Sequence, residues 1–170
     1  LNTLEYNKII EILSKKAIST MGKEICRNLF PMTQIGEIEK AQKETSEAVT
    51  MILQKGSLPL GGIKDIRASL KRVSMSGTLS IEELLHVGDF LYVTRKSVNY
   101  GTYENKNDYF ELVESQFSNL NLVTSLEKEI SRCIISKNDL SDDSSNELYE
   151  IRKNIKVSNS RIKDQLNSII

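Results

Sequence analysis

Apolar residues along this chain recur at steps of three and four, in blocks divided by capping residues and turn-formers. Thr3 is placed to cap a first helix running to about Ala17, with Tyr6, Ile9, Ile10 and Leu13 on one face. Ser19 caps a second, with Met21, Ile25 and Leu29, which must end before Pro31. Thr33 precedes a longer element whose stripe runs through Ile35, Ile38, Ala41, Thr45, Ala48, Val49 and Ile52, and Gly56 stands where a C-terminal glycine belongs. A short helix covers Ile66 to Val73. Ser80 and Glu83 form a capping box, opening a helix that is apolar on most sides (Ile81, Leu84, Leu85, Val87, Phe90, Leu91, Val93) and is expected to be the buried central one.

A polar, mobile stretch is expected from Gly101 to Asp108, then helices near Tyr109–Phe117 and Val123–Ile134. The segment Ser136 to Ser144 is rich in Ser and Asp and has no stripe, which makes it the best boundary in the chain. Ser145 caps a last helix with Leu148, Ile151, Ile155, Ile162, Leu166 and Ile169, and Asn159 interrupts that near-heptad seam. The pattern predicts an all-α fold: a multi-helix core over 1–135, a linker over 136–145, and a long projecting helix over 146–170. At about 1.5 Å per residue, that last helix would span roughly 37 Å. It has no stop signal before Ile170, and the chain opens at Leu1 rather than Met, so a piece of something larger is expected.

Composition agrees with helices. Gly and Pro number 8 and 2 in 170 residues, about half the usual share, so collagen-like, disordered and all-β readings fit poorly. Lys plus Arg equals Asp plus Glu at 23 each, which argues against a whole-chain basic surface for nucleic acid or a polybasic membrane anchor. No apolar run approaches the ~20 residues of a membrane span, and no signal peptide opens the chain. Cys26 and Cys133 lie far apart with no CxxC, so a disulfide framework or a zinc site is not expected. Both read as small core residues in a cytoplasmic chain.

Candidate chemistry is sparse. Gly56-Ser57-Leu58-Pro59-Leu60-Gly61-Gly62 has the glycine spacing of a phosphate loop, but Gly62 stands where the lysine must be and no strand precedes it; a turn is the better reading. His86, the only histidine, lies one turn before Phe90 and reads as a packed or hydrogen-bonded residue. Glu82-Glu83, Glu127/Glu129 and Asp142-Asp143 fall in capping or solvated contexts, where spacing alone makes no acid–base pair. No catalytic, cofactor-binding or metal-binding residue is assigned.

Seven of the ten aromatics fall between Phe90 and Phe117. Between Asn99 and Phe117 the one lysine, Lys106, stands against Glu104, Asp108, Glu111 and Glu114, the wrong sign for a nucleic-acid stacking platform, so a local core or a protein-contact surface is expected. The last helix carries Arg152, Lys153, Lys156, Arg161 and Lys163 against Glu147, Glu150 and Asp164. These five cations are the candidate nucleic-acid-facing residues, with a solvated helix face as the plainer alternative.

Several runs resemble one family. They are Leu4-Glu5-Tyr6-Asn7-Lys8-Ile9 with Gly22-Lys23-Glu24; Glu44-Thr45-Ser46-Glu47-Ala48; Pro59-Leu60-Gly61-Gly62-Ile63-Lys64-Asp65-Ile66-Arg67 with Leu70-Lys71-Arg72; and Gly77-Thr78-Leu79-Ser80. Leu126-Glu127, Ile130, Arg132-Cys133-Ile134 and Asp143-Ser144-Ser145, Glu147-Leu148, Ile151-Arg152 continue the likeness. Together they resemble the N-terminal core and lever of the type-two bacterial MutS family, the paralogue with a C-terminal Smr nuclease domain.

The resemblance implies a helical core and an ascending lever that leads to a clamp, with ATP and Mg bound outside this segment, as are the dimer interface and the nuclease. It implies DNA and/or the ribosome as partners of the full-length protein, in recombination suppression or in the rescue of collided ribosomes. The mismatch-reading N-terminal domain of the repair MutS is missing, so classical mismatch recognition is not implied. A free-standing helical interaction module, its last helix pairing as a coiled coil, is the alternative.

Overall fold

The computed structural model describes residues 5–102 and 110–168. Eight α-helices follow one another among them: α1 Tyr6–Lys16, α2 Thr20–Arg27, α3 Ile35–Lys55, α4 Arg67–Ser74, α5 Ile81–Gly101, α6 Glu111–Ser118, α7 Thr124–Cys133 and α8 Asn146–Asn167. Among the described residues the fold is all-α but for one small antiparallel hairpin, β1 Ile134–Ser136 and β2 Asp139–Leu140, and a short 3-10 turn at Asp142–Ser144.

Local capping chemistry sets most of the boundaries. The Ser19 hydroxyl accepts from the Gly22 N–H at 3.0 Å. Ser80 accepts from the Glu83 N–H at 3.2 Å while the Glu83 carboxylate accepts from the Ser80 N–H at 2.9 Å, completing the expected box. Gly56 ends α3 with φ 80°, in the left-handed region that favours glycine. Thr3, Tyr103, Tyr109 and Ile169, and most of the polar stretch expected at 101–108, lie outside the described residues. Within that stretch, Gly101 is the last residue of α5.

Two separate apolar clusters hold the core. Ile66, Val87, Ile130 and Ile134 form one, with Leu79, Ile81, Leu84 and Phe90 against it. Met51, Phe110 and Phe117 form the other, flanked by Leu58, Tyr100 and Val113. α5 contributes to both. Gly88 lets α7 come close, since a Cβ there would meet Ile130 Cγ2 at 3.0 Å. A Cβ on Gly101 would lie 2.4 Å from the Phe117 ring, so only glycine fits. α5 is central, but it still presents Glu82, Asp89, Tyr92, Lys96 and Asn99 to solvent.

The stripes of α1, α2 and α3 are largely uncovered. Ile9, Ile25 and Ile35 remain 59%, 66% and 74% exposed, and Met51 is the one fully buried side chain of α3. α1 packs chiefly on α2, which leaves much of these stripes in solvent. The accessible surface is 13023 Å², well above the roughly 8,500 Å² of a compact monomer of this mass. Cys133 packs half-buried against the first cluster, as a small core residue, and Cys26 is half-buried on α2.

Candidate nucleic-acid interface on the last helix

α8 leaves the core through a tightly bonded joint. The Ser141 N–H donates to the Cys133 carbonyl at 2.8 Å, and the Ser141 hydroxyl accepts from the Asp143 N–H at 3.2 Å. Ser145 caps α8, its hydroxyl accepting from the Leu148 N–H at 3.1 Å. The segment 136–145, read from sequence as a linker, is thus occupied by β2, the 3-10 turn and the α8 cap.

Beyond the joint α8 is unaccompanied. Ile151, Ile155, Ile162 and Leu166 are each at least half exposed, so the seam has no partner among the described residues. Its 22 residues give an arm of about 33 Å.

The five candidate cations do not form one surface. Arg152, Lys156 and Lys163 fall within about 40° of one another around the helix at 3.6 residues per turn, beside the apolar seam. Lys153 lies about 100° from Arg152 and Arg161 on the far side. Arg152 is engaged within the chain, donating to the Leu140 carbonyl at 2.8 Å, Asp142 Oδ1 at 2.5 Å and Asp139 Oδ1 at 3.0 Å. That contact holds the Asp142 carboxyl below its ordinary range. Lys153 lies 3.8 Å from Glu150, and Lys156 4.0 Å from Asp142. Arg161 and Lys163 are exposed without an ion pair among the described residues.

Elsewhere the candidates for chemistry take structural roles. Gly56–Gly62 is a turn between α3 and α4, with Gly62 at φ 85°. His86 is half-buried on α5, near Glu82. The Cys133 thiol is pushed up by burial, away from thiolate reactivity. Glu127, itself buried, takes Arg95 Nε and Nη2 at 2.9 and 2.8 Å, tying α7 to α5 and lowering the Glu127 carboxyl. Of the clustered aromatics, Tyr100 and Phe117 approach at 6.1 Å between ring centres and join Phe110 in the second cluster, as a local core. Among the described residues no group of three or more His, Cys, Asp and Glu is arranged to hold a metal ion. None of their helices is long and apolar enough to cross a membrane.

The family-like runs meet in space. Arg67, from the PLGGIKDIR run, pairs with Glu24 of the GKE run at 2.7 Å and with Asp65 at 2.5 Å, holding the Asp65 carboxyl at about 2. Glu47, from the ETSEA run, accepts from the Leu112 and Val113 N–H groups at the start of α6. Comparison with known proteins adds the same family. The endonuclease MutS2 of Lachnoclostridium phytofermentans is 38% identical over 175 residues, and that of Acetivibrio thermocellus 40% over 171. The endonuclease MutS2 of Clostridium perfringens is 34% identical over 170 residues. Each alignment takes in 100% of this chain. The chain is similar to MutS2 from end to end. It spans 22% of the length of each of those MutS2 relatives. No family model matches it.

Sequence reasoning missed the acceptors Asp139 and Asp142 and the cap supplied by Glu47. The Asp-rich run ahead of Arg152 was the available signal for the first. The second joins residues 65 apart, and nothing local marks it.

Proposed function

We propose that this chain is the helical core and the start of the lever of a longer MutS2-type protein, and that it carries force rather than chemistry. ATP and Mg would bind elsewhere in that cytoplasmic protein, as would the nuclease active site and the homodimer interface. The lever would link nucleotide state to a clamp that holds DNA or a collided ribosome, in recombination suppression or ribosome rescue. The observation that carries this reading is α8: a helix of about 33 Å fixed at its base and otherwise free, in a chain that is MutS2-like throughout. Lys156 and Lys163, one line on that arm, are the cations best placed to meet phosphate.

The half-exposed seam through Ile151, Ile155 and Ile162 favours a second reading, a free-standing interaction module that pairs through α8 as a coiled coil. Light scattering across a concentration series separates the two. The lever reading expects a monomer of 19.3 kDa at every concentration. A dimer that grows with concentration supports the coiled coil instead.

A further inference from the structure

The joint between core and arm is built from two arginines, one on each flanking helix, that bond to one loop. Arg152 reaches back from α8 to Asp139, Asp142 and the Leu140 carbonyl, with distances of 3.0, 2.5 and 2.8 Å. Arg132 reaches forward from the last turn of α7 to the Asp143 carbonyl, while its other nitrogens hold Glu129. Between them, residues 139–143 are bonded to both flanking helices, and the antiparallel pairing of Ile134 with Leu140 closes the loop against the core.

We propose that this double arginine clasp is a conformational device: it makes α8 one rigid body with α7 and α5, so that the arm turns with the core instead of swivelling on a linker. Each link has a physical basis. Guanidinium fixes several acceptors in one plane, which a lysine in the same place would not do. Single exposed ion pairs contribute little, but a network with shared acceptors and a fixed geometry restrains direction as well as distance. The chain of links continues inward through the Arg95–Glu127 fork and the close approach of Gly88 to Ile130. A serine- and aspartate-rich segment, which composition alone would make a flexible tether, becomes a splice because its carboxylates and carbonyls have cationic partners on either side.

The lever reading gives the clasp its purpose, but the clasp is a property of this chain and is tested without nucleotide, DNA or ribosome. Residual dipolar couplings of backbone amides report whether two helices share one orientation over time. In the 170-residue chain, couplings from α5, α7 and α8 should fit a single alignment tensor of one magnitude. In the double variant Arg132→Gln/Arg152→Gln, α5 and α7 should keep that magnitude while α8 falls at least roughly twofold, as expected when a rigid element starts to reorient.

The pair Asp139→Ala/Asp142→Ala, which removes both carboxylate acceptors of Arg152 and leaves both arginines, should reproduce the loss if the arginine double variant proves poorly folded. Lys153→Gln, on the same helix but outside the clasp, should change nothing. One tensor of undiminished magnitude for α8 in both double variants would overturn the proposal, as would an α8 already reduced in the unaltered chain.

Discussion

Glu47, in the middle of α3, caps α6 from 65 residues away, its Oε2 accepting the Leu112 N–H at 2.9 Å and the Val113 N–H at 3.2 Å. α6 opens at Phe110, which offers no capping side chain, so its first orphan donors depend on this carboxylate. A negative group at that end also suits the helix dipole. Glu47→Ala should therefore cost about 1 kcal/mol, within the ordinary range of a lost cap. Glu47→Gln, which keeps an acceptor oxygen, should cost less. Urea midpoints of the two variants measure the difference, and equal losses would show that the carboxylate acts through packing alone.

Glycine positions give a sharper contrast. Gly101→Ala drives a methyl into the Phe117 ring, 2.4 Å away, and should destabilise by about 1–3 kcal/mol as overpacking does. Gly61→Ala has open space, with nothing within 4 Å, and no positive φ. It should change stability by less than about 0.5 kcal/mol. Thermal melts of both variants check this directly.

Acid should loosen the ion-pair framework in a set order. Glu127 and Asp142 are held below their ordinary values by hydrogen bonds from Arg95 and Arg152, and Asp65 is held at about 2 by Arg67. A carboxyl lowered in the folded state contributes its stability above its unfolded value and loses it as pH falls through its folded one. The unfolded values are 4.5 for Glu127 and 3.8 for Asp142 and Asp65. The urea midpoint should therefore begin to drop below pH 4.5 and continue falling toward pH 2. Glu127→Gln should flatten the upper part of that drop. A midpoint that rises on acidification would contradict the assignment.

How legible this was in the sequence depends on the range of the interaction. Ser19, Ser80 with Glu83, Gly56 and Ser145 act on neighbours within four residues, and each stands where the pattern placed it. The hairpin at 134–140 was invisible because its strands are three and two residues long, too short to show alternation. Periodicity identified the apolar faces of α1, α2 and α3 but carries no information on what covers them. Ile9, Ile25 and Ile35 are therefore on stripes as expected and still in solvent. On the arm, the five cations were legible as a surplus of charge. That Arg152 turns inward to Asp139 and Asp142 follows only from the loop's path.

In the proposed lever role α8 couples distant parts of a longer MutS2-type protein, with its apolar seam as the exposed surface of the arm. Ile155→Asp/Ile162→Asp replaces two residues that are each 53% exposed, so the core is spared. The most direct test measures ATP turnover in the full-length protein carrying this pair, with and without DNA or ribosomes. Basal turnover should be unchanged and the response to DNA or ribosome binding lost. A response as large as that of the unaltered protein would contradict the lever role.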